Sequence, residues 1–182
     1  SCTDALKWGN SDGVFQIYIP ESGLKPFHVY CKNETKAEKM PWTIFLRRQN
    51  GTFDFHRNWY DYKHGFGNVE REFWLGLEKL YALTSANVRP PQLWVHLRDA
   101  LNNQANAYYT TFAIGDEASR YVLKVLGSYF GSAGDSLSYH QGMHFVTKDR
   151  DDTIDGRTNC ANEYWGGWWY KSCHERWESG IY

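Results

Sequence analysis

The sequence predicts an α+β domain built on a mainly antiparallel sheet, and three observations carry that reading. Short β-type runs recur from residue 14 to residue 129, separated by Gly, Pro and polar turns. One segment, 56–84, changes to helical spacing. The last third is poor in regular patterning but crowded with aromatic, acidic and cysteine residues, as functional irregular segments are. At 182 residues the chain can bury a real core, and one folding unit is expected.

Taken in order, residues 1–42 read as a small unit with two strands, Val14 to Ile19 and Phe27 to Cys31, set apart by Pro20, Gly23 and Pro26. Trp42 to Arg48 and Thr52 to Phe55 flank Asn50-Gly51, a strong hairpin signal because a type I′ turn needs positive φ at both central residues. In the helical segment Phe73, Leu77, Leu80 and Tyr81 share one face, and Thr84 to Asn87 breaks it. Gly65 and Gly67 mark a tight loop before the helix, without the rest of a phosphate-binding signature. Gln92 to Arg98, Asn106 to Ile114 and Tyr121 to Tyr129 then alternate as three strands of one sheet with one face buried.

Composition excludes several function classes. Lys and Arg number 20 against 21 Asp and Glu, with no basic block, so a polyanion such as nucleic acid finds nothing to bind. No apolar run is long enough to insert in a membrane, and the first residues lack a signal peptide's pattern, so Ser1 reads as a cut or mature start. The 9 Trp and 13 Tyr suit either a β-rich aromatic core or a stacking surface. The four cysteines admit three pairings, and their positions favour Cys2 with Cys31 and Cys160 with Cys173, each closing a local loop. Free buried thiols are the alternative, and zinc is disfavoured because no C-x-x-C occurs. Sequons at Asn33 and Asn50 agree with disulfides in pointing to a secreted, extracellular glycoprotein. No G-x-S-x-G nucleophile elbow is present, and two disulfides leave no thiol nucleophile, so no enzyme is expected. His140 and His144 read as surface-loop residues, since Gly142 between them argues against a helix that would align them on a metal.

The stretches HRNWYDYKHGFGNVEREFWLGLEKLYALT, GDSLSYHQGMHF, TKDRDD and NCANEYWGGWWYKSCH, in that order, resemble the fibrinogen-related domain, the C-terminal globe of fibrinogen chains, ficolins, tachylectins and angiopoietin-like proteins. The resemblance covers Cys2 to Tyr182. It implies a small N-terminal disulfide-tied subdomain at 1–42, a central twisted sheet with short helices at 43–130, and an irregular C-terminal binding subdomain at 131–182. It also implies a Gly-rich tail after the position of Tyr182 whose last strand enters the central sheet; this sequence stops short of it, so a strand and part of a pocket wall are expected to be absent.

The same resemblance implies site residues. Family calcium sits on two aspartates two residues apart and on backbone carbonyls, the hard oxygen ligands the ion needs. That register places Asp151 first but Thr153 second; Asp149 with Asp151, or Asp151 with Asp155, could supply the pair, against a solvated acidic turn holding no Ca2+. Lectin members recognise acetyl groups beside the calcium loop, and the positions carried over are Tyr164 and His174, with a cis peptide expected at Ser172–Cys173 by analogy. Trp168 and Trp169 are expected in the core. The implied partners are acetylated glycans on cell or microbial surfaces, or a cell-surface receptor protein, with homo-oligomerisation through segments outside this chain.

Overall fold

The computed structural model describes residues 1–7, 11–33, 41–86, 90–151 and 158–173. The first unit is a three-stranded antiparallel sheet, β1 (Gly13–Ile17), β2 (Phe27–Asn33) and β3 (Pro41–Ile44), in the order β1-β2-β3. The sequence reading missed helix α1 (Cys2–Lys7), which packs against these strands. Cys2 is disulfide-bonded to Cys31 with their Cα atoms 5.5 Å apart, so the chain start is pinned to β2 as expected. Both half-cystines are buried with Ile17, Phe27 and Val29 against Phe73 and Leu75 of the next unit.

The chain bends at 49–51 with Gly51 at φ 69°, but Asn50 lacks the positive φ of a type I′ turn and the predicted hairpin does not form. Residues 52–55 are not a strand. Strand β4 (Leu46–Arg47) pairs instead with β6 (Phe73–Trp74), whose other side takes β5 (Phe66–Gly67). The reason is a long-range competitor: buried Glu72 takes the turn's backbone donors, Gln49, Asn50 and Gly51 N–H on Oε1 and Phe53 N–H on Oε2, at 2.7–3.2 Å. A polar group that satisfies four backbone donors removes the incentive to pair them in a ladder. Gly67 (φ 87°) lies so close to β6 that a Cβ there would stand 2.3 Å from Glu72 O, which explains the glycine spacing read as a tight loop.

Helix α2 (Trp59–His64) is capped by Asn58, whose Oδ1 accepts from Asp61 N–H at 2.9 Å. Helix α3 (Leu77–Ser85) follows β6 and buries Leu77, Leu80, Ala82 and Thr84, packing on β9. The three predicted strands become five in two sheets. β7 (Leu93–Arg98), β8 (Gln104–Tyr109) and β11 (Tyr129–Gly131) form one antiparallel sheet in the order β11-β8-β7, while β9 (Phe112–Ile114) pairs antiparallel with β10 (Leu123–Leu126). The second predicted run breaks at Thr110-Thr111 and the third at Gly127-Ser128. These breaks hold each other: Thr110 N–H donates to Ser128 O and Gly127 N–H to Thr111 O. A Cβ on residue 127 would stand 2.2 Å from Thr110 Oγ1, so the crossing of the two chains requires glycine.

One core joins these parts: Tyr62 and Trp59 of α2, Trp74 of β6, Leu77 and Leu80 of α3, the inner faces of both sheets, Phe145 and Trp169. Among the described residues no helix is long and apolar enough to cross a membrane.

Candidate functional site

The irregular stretch 158–173 is built on a short helix, α4 (Cys160–Glu163). Asn159 starts it, its Oδ1 accepting from Asn162 N–H at 3.1 Å. The same side chain's Nδ2 donates to the carbonyls of Thr147 and Lys148, tying the helix to the turn before the acidic run. Cys160 and Cys173 are bonded, with Cα atoms 5.2 Å apart, so the bracket drawn from the sequence around the aromatic residues exists. Trp168 forms a two-way backbone bridge with Val146, closing the loop onto the globe.

Within that bracket the aromatic residues divide by direction. Trp169 is fully buried, donating its indole N–H to Tyr121 O at 2.7 Å, and Trp168 packs half-buried beside it, as expected for core residues. Tyr170 is buried and donates to Gly166 O at 2.8 Å. Tyr164 stacks on Tyr170 at 5.8 Å, 39% exposed, and its hydroxyl donates to Cys173 O. Trp165 points outward, 71% exposed, beside the His56 ring at 5.0 Å. Its backbone is left-handed at φ 54°, a conformation that costs a bulky residue energy and persists only where neighbours enforce it. The enforcement is visible: Tyr164 N–H bonds Cys160 O, Gly166 N–H bonds Ala161 O, and Gly167 N–H bonds the Tyr62 hydroxyl, which donates onward to Phe55 O. Gly167 is confined between Phe145 and Tyr62, at 2.8 and 2.9 Å from a notional Cβ. The result is a ledge of Tyr164 and Trp165 on a rigid seat.

The acidic run is partly committed to structure. Asp149 Oδ1 accepts from Trp59 N–H at 2.8 Å, at the start of α2, and from Thr147 Oγ1 at 2.7 Å. Arg150 lies 4.1 Å over the Trp59 ring, and Lys148 Nζ donates to His56 O. Thr153 and Asp155 lie outside the described residues, as does His174. Among the described residues no group of three or more His, Cys, Asp or Glu side chains is placed to hold a metal ion. Ser172–Cys173 departs from the expected cis bond: no peptide among the described residues is cis. His140 also departs from its surface reading. It is buried in the turn Ser138–His140, and burial, opposed by a hydrogen bond with the Trp169 backbone and aided by nearby Lys171, pushes its pKa down to about 4. His144 is exposed, its Nδ1 3.0 Å from Ser119 O.

The family described as fibrinogen beta and gamma chains, C-terminal globular domain, matches residues 1–182. The chain belongs to that family. It is 44% identical to chicken (Gallus gallus) tenascin-R over 182 residues, 100% of this chain and 13% of that protein. Fibrinogen-like protein A of Apostichopus parvimensis is 44% identical over 177 residues, 94% of this chain and 61% of that one. The chain therefore spans only a small part of the tenascin-R to which it is similar. Among solved structures, the fibrinogen-like globe domain of human ANGPTL2 superposes with a TM-score of 0.86 at 36% identity, covering 94% of this chain and 77% of that one. Lamprey fibrin D-dimer, complexed with the peptide ligand Gly-His-Arg-Pro-amide, superposes with a TM-score of 0.82 at 30% identity, covering 96% and 58%.

Two features of this fibrinogen-like globe escaped the sequence reading. Trp165 was visible as one aromatic among several, yet only the Gly166-Gly167 pair after it hints that the chain turns it outward. An apolar trough of about 680 Å³ also opens between β3–β4 and β7, with Ile44, Leu46, Leu83, Val95 and Leu97 on its walls. β3, β4 and β7 are each the last strand of their sheet, a topology that local periodicity does not encode.

Proposed function

We propose that this fibrinogen-related domain is a secreted, non-enzymatic recognition module that holds acetylated glycans of a cell or microbial surface on the Tyr164–Trp165 ledge. The observation that carries the reading is Trp165: a large ring, mostly exposed, kept in a left-handed conformation by a disulfide-bracketed loop. Folding alone gives no reason to hold a tryptophan there, whereas an acetyl methyl or a sugar's C–H face needs an aromatic wall of fixed geometry. The Tyr164 hydroxyl is held on the Cys173 carbonyl, and Ser172, Cys173 and His174 belong to the same proposal by sequence. Two disulfides suit an oxidising, extracellular setting.

Calcium belongs to this reading as well. Asp149 Oδ1 is occupied by two donors, which leaves Oδ2 for a hard cation, and Asp151 with Asp155 would complete the carboxylates. The ion would offset repulsion in the acidic run and stiffen the loop under the ledge. N-glycans at Asn33 and Asn50 fit the same compartment. Intact mass after secretion from mammalian cells, with and without a glycan-removing amidase, should show both; an unshifted mass would remove them from the proposal.

The test of the ledge is isothermal titration with N-acetylglucosamine and N-acetylgalactosamine, with calcium and with chelator, on the unaltered chain, Tyr164→Ala and Trp165→Ala. Binding is expected in the unaltered chain and lost by about tenfold or more in either variant. Absence of heat with both sugars would overturn the glycan reading. A second reading, a peptide end of a protein partner, is favoured by the likeness to lamprey fibrin D-dimer, which is complexed with the peptide Gly-His-Arg-Pro-amide. Heat with Gly-His-Arg-Pro-amide, abolished in Trp165→Ala and absent with sugars, would establish it instead.

A further inference from the structure

The outer face of the β11-β8-β7 sheet carries a second aromatic surface that the core does not use. In β7 Leu93 and Val95 pack on the shared core, and the strand's alternation sends Trp94 and His96 to the opposite face, where with Trp42 they also border the rim of the trough. The register aligns Trp94 with Tyr108 and Tyr108 with Phe130, one ring on each of three neighbouring strands. These rings are nearly parallel: Trp94 and Tyr108 differ by 3° at 5.9 Å, Tyr108 and Phe130 by 6° at 5.0 Å. The rings follow the strand spacing of about 4.8 Å, so they stand as a stacked row across the sheet. Among the described residues Phe130 stacks on no ring but Tyr108, so its other face is left open at the end of the row. Trp42 of β3 closes the row at the Trp94 end, 5.3 Å away and tilted by 54°. At the other end Phe130 sits on the outermost strand, 52% exposed.

Beside the rings stands a polar pair whose roles can be worked out. Trp94 Nε1–H lies 2.9 Å from the Asn106 side-chain atom assigned as Oδ1, and an indole nitrogen can only donate. The atom there is therefore the amide oxygen, which settles the orientation of Asn106. His96 Nδ1 lies 3.0 Å from that same oxygen and must donate to it. The neutral imidazole then carries its proton on Nδ1, and His96 Nε2 is an acceptor on an exposed side chain. Asn106 Nδ2 has no hydrogen-bond partner among the described residues and remains a donor. An acceptor and a donor thus stand side by side next to the aromatic row. Along the outward positions of these three strands Arg98 is the one formal charge.

We propose that this face is a binding platform for a neutral hexose chain, distinct from the Tyr164–Trp165 ledge. A hydroxyl both donates and accepts, which matches the His96–Asn106 pair, and the weakly positive C–H hydrogens of a pyranose match the negative ring face left open at the Phe130 end of the row. The near absence of charge disfavours an anionic occupant, which would draw on several cations.

The experiment is titration of the 182-residue chain with laminarihexaose, cellohexaose and mannohexaose, followed by tryptophan fluorescence and calorimetry. At least one hexaose is expected to bind, with affinity reduced about tenfold or more in Phe130→Ala and in His96→Ala and unchanged in Trp165→Ala. Both altered side chains are exposed, and urea unfolding midpoints equal to that of the unaltered chain would show that the variants fold. Failure of all three sugars to bind overturns the proposal, as does binding that survives both platform variants or is lost in Trp165→Ala. Sedimentation showing a dimer that Phe130→Ala dissociates would also overturn it, assigning the face to a second copy of this chain. Because N-acetylated sugars are tested on the ledge and unacetylated hexaoses here, either site can fail without the other.

Discussion

At the scale of single residues, Glu72 shows how one side chain can set a local conformation. It is 5% exposed, and its two oxygens accept four backbone N–H groups from the 49–53 turn. Burial alone would raise its pKa, but those four donors outweigh burial and bring it down to about 2. Glu72→Gln replaces one acceptor oxygen by a donor facing a donor, and a loss of roughly 2–4 kcal/mol in urea unfolding free energy at pH 7 is expected. A loss under about 0.5 kcal/mol would show that the turn holds without the carboxylate. Sequence made only half of this legible. Asn50-Gly51 announces a turn through the positive φ that glycine allows, whereas the acceptor that decides the strands around it lies about twenty residues downstream. The same limit applies to His140, whose polar, glycine-flanked neighbourhood reads as surface; the Trp169 backbone that meets it comes from another part of the chain.

At the scale of elements, what pairs locally was legible and what is selected by register was not. β1 and β2, the existence of α3 and both disulfides followed from alternation, helical period and cysteine position, although Phe73, read on the helix face, lies in β6 and Tyr81 is only partly buried. The splitting of one predicted sheet into two needed the contact of Thr110-Thr111 with Gly127-Ser128, two breaks that each look harmless alone. In the candidate site the bracket Cys160–Cys173 was readable, while the outward turn of Trp165 was not, since left-handed backbone at a tryptophan contradicts local preference. That turn depends on its bracket. Closing a loop of sequence separation 13 removes about 3 kcal/mol of unfolded-chain freedom on the loop-entropy view. Cys160→Ser with Cys173→Ser is therefore expected to lower stability by about that amount. It should also raise acrylamide quenching of tryptophan fluorescence, because the Tyr164–Trp165 seat loosens while Trp169 stays in the core. Unchanged quenching together with unchanged stability would mean that the Val146–Trp168 bridge alone fixes the loop.

At the scale of the whole molecule, two groups displaced in the acid range, His140 and Glu72, act on one folded state through adjoining pH windows. His140 is a base whose folded pKa, about 4, lies below its unfolded value near 6.5. The unfolded chain binds the proton more readily, so the stability held with neutral His140 is complete above about pH 6.5 and is lost as pH falls toward 4. Glu72 is an acid whose folded pKa, about 2, lies below its unfolded value of 4.5, so its contribution is complete above about pH 4.5 and is lost as pH falls toward 2. Each displacement corresponds to roughly 3 kcal/mol at about 1.4 kcal/mol per unit. Both groups are tied to the large shared core, Glu72 through neighbouring Trp74 and His140 through the backbone of Trp169, so protonating either one strains the same cooperative unit. Urea unfolding of the unaltered chain should show stability falling in one continuous slope from pH 6.5 to pH 2. His140→Gln should start lower and stay nearly level between pH 6.5 and 4.5; Glu72→Gln should keep the upper slope and flatten below pH 4.5. If the His140→Gln curve instead runs parallel to the unaltered chain between pH 6.5 and 4.5, the buried imidazole is not the group that senses that range.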